Sequence, residues 1–208
     1  MTAALKKKAA DRGKSRQSSV GAAQDADLLV AIAAGDAQAF GEILRRFQDR
    51  VVNLVYRMVG NWDTALDLAQ DAFLRIHRRA ETFRPDGNAG SWILAVAVNL
   101  TRDYLRSGRN RILFLDRMEI ASNDGSDGRG RSGPETPSEQ LEREERRQLV
   151  HKVLAELPEF PRTMLLLRDF EGLSYQDISE ILECEVGTVK SRIHRARKQF
   201  EELFERYL

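Results

Sequence analysis

Apolar residues recur along this chain at intervals of three and four, and nowhere do they alternate with a period of two over the length of a strand. Asp25 caps a short helix that reaches Ala34, where Gly35-Asp36 punctuates it. A longer helix follows to about Val59, with Phe40, Ile43, Leu44, Phe47, Val51, Leu54, Val55 and Met58 at helical spacing, and Gly60-Asn61 breaks it. The next helix, from about Asp63 to Thr82, buries Leu66, Ala69, Phe73, Ile76 and Ala80 and shows Asp67, Gln70, Asp71, Leu74 and Arg78 on its other side. Pro85-Asp86-Gly87 turns the chain into a helix over Ser91–Ser107, stopped by Gly108. Within it, Trp92 to Val98 alone reads like a buried strand; its length, its alanines and the helically spaced residues after it decide for helix.

Beyond a gap in the pattern, Ser138 or Glu139 opens a charged amphipathic helix that Pro158 ends. Pro161 sits early in the next helix, which Gly172 closes. Ser174 with Asp177 three residues on makes a start resembling a capping box, and the short turn Glu183-Cys184-Glu185 leads into a last helix. The fold class is therefore all-α. The gap itself, Ala121–Ser138, holds four Gly, two Pro and four Ser, and no apolar residue larger than Ala, too little to offset the entropy of ordering it. Two small helical domains joined by a flexible linker follow: residues 25–115 and 139–208, with 116–138 between them. Residues 1–24 carry six bases and one acid without the apolar core of a signal peptide, and read as a disordered basic tail.

Net charge is only +1, from 33 bases against 32 acids, so distribution matters more than balance. Residues 186–198 hold five Lys or Arg and no acid, whereas residues 168–185 hold six acids and one Arg. Charge gathered on one short helix after an acidic one is how a helix-turn-helix meets a phosphate backbone. At about 100° per residue, Val189, Ile193, Ala196 and Phe200 share one stripe that packs inward. Lys190, Ser191, His194, Arg195 and Lys198 project opposite, with Thr188 at the edge and Arg192 in the same basic run. Arg195 suits a bidentate guanine contact and Lys198 a phosphate. In the first domain, Asn99, Arg102 and Arg106 lie three and four apart as a polar stripe, which Arg109 and Arg111 extend; it serves either to read bases or as a solvated face. Leu74 amid acids reads equally as a protein contact or an ordinary surface leucine.

The single Cys184 excludes an intrachain disulfide and fits a reducing cytoplasm. The longest apolar run falls far short of the roughly 18 residues of a membrane span. His77, His151 and His194 are scattered, and no phosphate-binding glycine loop occurs, which argues against an enzyme. Cys184 and His194 complete no zinc set, so no metal is expected. A stand-alone regulator that binds operator DNA as a dimer accounts for the last helix equally well, but not for the Asn–Arg stripe or the acidic face.

Asp67-Leu68-Ala69-Gln70-Asp71-Ala72-Phe73-Leu74-Arg75, Ser91-Trp92-Ile93, Ala97-Val98-Asn99, Leu157-Pro158, Gly172 to Ile178 and Val186 to Arg197 together resemble the extracytoplasmic-function sigma factors of bacteria, over about residues 25–208. That resemblance implies a subunit that binds core RNA polymerase and directs transcription initiation, with no catalysis, no cofactor and no small-molecule substrate of its own. It implies that Asp67, Gln70, Asp71 and Leu74 dock on the polymerase clamp helices. Arg75, Arg84, Trp92, Asn99, Arg102 and Arg106 are implied in binding the separated −10 strand, and the 186–198 helix in reading the −35 element as duplex. An anti-sigma factor is a further implied partner. The chain departs from the family at Leu66-Asp67, where two acids are common, and at Leu94-Ala95, where an aromatic-basic pair is common.

Overall fold

The computed structural model describes residues 21, 23–107 and 137–207. The expected linker, most of the basic tail, Arg109 and Arg111 lie outside these residues. Within them the chain is helical throughout, in two groups. The first contains α1 (residues 23–33), α2 (Ala37–Val59), α3 (Trp62–Arg79, extended by a 3₁₀ turn over Ala80–Thr82) and α4 (Ala89–Arg106). The second contains α5 (Pro137–Glu156), α6 (Glu159–Leu165), a π turn (Leu166–Phe170), α7 (Tyr175–Ile181) and α8 (Val186–Phe204).

Local chemistry sets the boundaries. Asp36 caps α2 by accepting from the N–H groups of Gln38 (2.8 Å) and Ala39 (3.2 Å). Gly60 ends that helix with φ +74°, a left-handed conformation in which glycine bears no Cβ penalty. Asn61 accepts from Thr64 N–H (2.8 Å) to start α3, and Asn88 from Ser91 N–H (3.2 Å) to start α4. Asp25 differs from expectation. The helix of residues 23–33 already runs through it, and its carboxylate bonds Arg46 at 2.8 Å.

Leu66 is a second difference. It stands 36% exposed, whereas Leu68 is buried. The buried stripe of α3 centres on Ala65, Ala69, Ala72 and Ile76, and Leu66 lies about 90° from that centre. Its side chain therefore joins the face of Asp67, Gln70, Asp71 and Leu74.

The two groups pack on each other. Their buried side chains form one continuous cluster, from Ile43, Leu54, Met58 and Ile93 in the first to Leu157, Met164 and Leu167 in the second. Contacts run from α2 to α5 and α6, and from α4 to α7. The π turn matters to this junction. Its wider loop, closed by Glu171 N–H donating to Leu166 O at 2.9 Å, brings Phe170 and Glu171 to α2.

Candidate nucleic-acid interface

Helix α7 begins in a full capping box. Ser174 Oγ accepts from Asp177 N–H (3.0 Å), while Asp177 Oδ2 accepts from Ser174 N–H (3.0 Å). The turn to α8 passes through Glu183 at φ +50°, a left-handed conformation costing about 1 kcal/mol in a residue with a Cβ. It closes where Cys184 N–H donates to Ser179 O at 3.0 Å. Val189, Ile193 and Ala196, none more than 1% exposed, seat α8 against its own group.

With that stripe inward, Ser191, His194, Arg195 and Lys198 form one exposed front, with Lys190 at its edge. Among the described residues, Lys190, His194 and Arg195 make no ion pair, so their donors face solvent. Lys198 Nζ stands 3.8 Å from Glu202, an exposed pair that water screens. Ser191 Oγ donates to the carbonyl of half-buried Thr188 at 3.0 Å and keeps its lone pairs outward. Arg192 does not join this front: its guanidinium lies over the Phe160 ring, 4.8 Å from the centroid. Arg197, on the other flank, is held by two hydrogen bonds to Asp169, which raise its pKa further.

On α4, Asn99 and Arg106 are exposed, but the stripe is interrupted between them. The Arg102 side chain is only 12% exposed, pairs with Glu159 at 3.0 Å and lies over Phe160. A groove of about 400 Å³ runs here, with Asn99, Arg102 and Arg106 on one wall and Leu182 and Glu183 on the other. Trp92 is half-buried, edge-on to Phe83 at 5.7 Å. Arg75 is exposed on α3, and Arg84 is exposed beside Asp86 at 3.2 Å. A separate face of α3 carries Leu66, Asp67, Gln70, Asp71 and Leu74, the last 50% exposed.

Two family models match these two groups: Sigma-70 region 2 over residues 43–111 and Sigma-70 region 4 over residues 147–200. The RNA polymerase sigma-H factor of Pseudomonas aeruginosa is 34% identical over 178 residues, 86% of this chain and 92% of that protein. The ECF RNA polymerase sigma-E factor of Escherichia coli K12 is 34% identical over 177 residues, 85% of this chain and 92% of that one. The chain belongs to the sigma-70 family. It is a sigma factor of the extracytoplasmic-function type, an initiation factor rather than an enzyme. The fold is also that of two solved structures. CnrH in complex with the cytosolic domain of CnrY has a TM-score of 0.63 at 21% identity, covering 88% of this chain and 97% of that one. The sigma factor RpoE in complex with the anti-sigma factor NepR from Bartonella quintana has a TM-score of 0.61 at 24% identity, covering 81% and 98%.

Sequence periodicity missed the residues that join the two groups of this sigma factor. Arg50 Nε donates to Glu171 Oε2 at 2.5 Å, and its Nη2 to the Glu171 carbonyl at 3.1 Å. Ser91 Oγ and Asn88 Nδ2 donate to Asp177 Oδ1, at 2.7 and 3.4 Å. Burial pushes the Asp177 carboxyl up, but the bonds from Ser174, Ser91 and Asn88 outweigh it and leave the pKa below the usual range. Arg162 is 7% exposed and donates to the carbonyls of Met58 (2.7 Å), Ala155 (3.0 Å) and Leu157 (2.8 Å). Burial lowers its pKa to about 10, so it stays charged at neutral pH. The one legible signal was Arg162 itself, a lone charge within an otherwise apolar run.

Proposed function

We propose that this sigma factor binds core RNA polymerase through α3 and reads a promoter at two places, with residues 25–115 acting as region 2 and residues 139–208 as region 4. The observation that carries the −35 assignment is the front of α8, where Lys190, His194 and Arg195 have no partner among the described residues, on a helix whose back is seated by Val189, Ile193 and Ala196. A helix with an apolar back and a front of hydrogen-bonding cations fits the major groove, where Arg195 takes a guanine edge and Lys190 and Lys198 neutralise phosphates. Ser191 and Thr188 contact the backbone at the N-terminal edge.

The −10 assignment rests on Asn99, Arg102 and Arg106 along α4, with Trp92, Arg84 and Arg75 around its start. Capturing unstacked bases needs donors for their edges and a ring for stacking, and this set provides both. Asp67, Gln70, Asp71 and Leu74, joined by Leu66, make the surface for the clamp helices: a small apolar centre inside an acidic rim. The resemblance to sigma factors solved with anti-sigma partners supports an anti-sigma factor for this chain as well. Its place of work is the cytoplasm, with the polymerase, and no described helix is long and apolar enough to cross a membrane.

Runoff transcription with purified core polymerase and a randomised promoter library tests this reading. The expected product is transcription that depends on the chain and enriches two elements separated by a fixed spacing. Enrichment of a single palindrome, bound tightly without core, points instead to a dimeric operator-binding regulator and overturns it.

A further inference from the structure

Gly187 is a residue of the α8 front that the fold itself does not explain. It is exposed and stands second in a 19-residue helix. Among the described residues only Gly35, Gly60, Gly172 and Glu183 have positive φ, so the backbone at 187 does not require glycine. Space does not require it either, because a Cβ at this position meets nothing within 4 Å. Gly90, also second in its helix, differs: a Cβ there comes within 3.6 Å of Arg50 Nη1 and 3.7 Å of Phe47 Cε1. Alanine at 187 fits the free chain and lowers the entropy of the unfolded one, so glycine here works against stability.

Its place on the helix gives the glycine a use. At about 100° per residue, Gly187 points about 150° away from the buried stripe of Val189, Ile193 and Ala196, and within about 40° of Ser191, His194 and Lys198. All four are exposed. Along this central line the side chains grow from the N-terminal end: none, then a hydroxymethyl, an imidazole and a long ammonium. Half-buried Thr188 and exposed Lys190 lie to either side of it. The front is therefore a wedge, thin where the helix begins. Clearance in the major groove is small, since the groove is about 12 Å wide and a helix with its side chains about 10–12 Å across. A wedge of this sense enters with its N-terminal end deepest.

We propose that Gly187 sets the depth at which α8 seats in the −35 duplex. With no side chain there, the first turn of the helix comes against the base edges, and even a methyl group at that position holds the helix off. This rests on the −35 reading above. Gly187 offers no group to a base; it is a positioning residue that acts through the side chains it brings within reach. A displacement of about 1 Å takes a hydrogen bond of about 2.9 Å out of range, so the guanine contact of Arg195 is lost while attraction to phosphates largely persists.

The test uses holoenzyme assembled from the full chain and core polymerase, and a promoter from the randomised library in two forms, with the −35 element intact and scrambled. Gly187→Ala binds the intact form about five-fold more weakly or worse, the lower bound for losing one base contact, and changes by less than about two-fold on the scrambled form. Thermal unfolding of the free chain moves the other way, its midpoint holding or rising by about 1–3 °C. Gly41→Ala makes the same exchange at an exposed helical site where a Cβ also meets nothing within 4 Å. It leaves the ratio of affinities for the two forms unchanged. A lowered midpoint in Gly187→Ala makes the glycine a need of the fold and overturns the proposal. An unchanged ratio in Gly187→Ala, with the ratio reduced in Arg195→Ala, overturns it and leaves the −35 reading intact. An unchanged ratio in both variants removes the −35 reading and this proposal with it.

Discussion

Arg195→Ala separates base reading from everything else the second group does. The side chain is exposed and has no partner among the described residues, so its removal uncovers no buried group and opens no cavity. Stability should move by no more than about 0.5 kcal/mol, as for an ordinary surface substitution. A bidentate contact to guanine contributes about 1–3 kcal/mol of discrimination, which corresponds to a loss of roughly five- to 150-fold in −35-dependent binding. Single-round transcription with core polymerase measures this on two templates, one with an intact −35 element and one with that element scrambled. The variant should lose its full factor on the intact template and change less than about two-fold on the scrambled one, since the lost contact was already absent there. Affinity for core, measured by titration, should not change. Equal losses on both templates, or a fall in core affinity, would refute the assignment of α8 to base reading.

Lys190→Ala removes one unpaired cation beside that front, so the slope of log affinity against log salt should fall by about 0.9, with discrimination between promoters preserved. Leu74→Glu places a charge at the centre of the α3 face; because Leu74 is 50% exposed, thermal unfolding should be unaffected while core affinity drops by about ten-fold or more. Ser174→Ala breaks the capping box and should cost about 1 kcal/mol, read as a lower denaturant midpoint with an unchanged slope. Asp177 has a lowered pKa, partly through Ser91 and Asn88 of the other group. Its contribution to stability is therefore present above the ordinary carboxylate range and lost as pH falls through the lowered value. The denaturant midpoint should decline with acidification below about pH 4, and less steeply in Ser91→Ala.

What periodicity carried from the sequence was each helix and its inward stripe, because an amphipathic helix records one core contact at 3.6-residue spacing. Val189, Ile193 and Ala196 fell where the wheel put them, and Ser174 with Asp177 formed the box their spacing implied. Leu66 shows where that reading blurs: an apolar residue at the rim of a stripe looks the same in sequence whether it turns inward or faces a partner. Helix α6 shows where it fails. Residues 162–167 are all buried, because α6 and the π turn sit between α8 and the first group, and a segment covered on every side has no polar face to read. Arg102 and Arg192 illustrate a third limit. Wheel position places a cation near a surface, but a glutamate and a phenylalanine from elsewhere in the chain decide whether it is free. Glu159 is 57 residues from Arg102, and nothing in local spacing connects them.

The junction between the two groups is part apolar and part charged, and each of its ion pairs has one largely buried end. Arg162, at 7% exposed, is a buried charge there, yet two of its carbonyl acceptors, on Ala155 and Leu157, belong to its own group. Met58 O, near the C-terminal end of α2, is an acceptor it takes from the first group. Arg50 is 37% exposed and Glu159 31%, but their partners Glu171 and Arg102 are only 6% and 12% exposed, so breaking either pair leaves one poorly hydrated charge. Each such bridge contributes about 0.5–1.5 kcal/mol net, and the handful present sums to a few kcal/mol beside the apolar contacts. The apolar part is the larger: Leu54 and Met58 of the first group lie in one buried cluster with Leu157, Met164 and Leu167 of the second, so parting the groups would uncover a sticky face as well as the charged bridges.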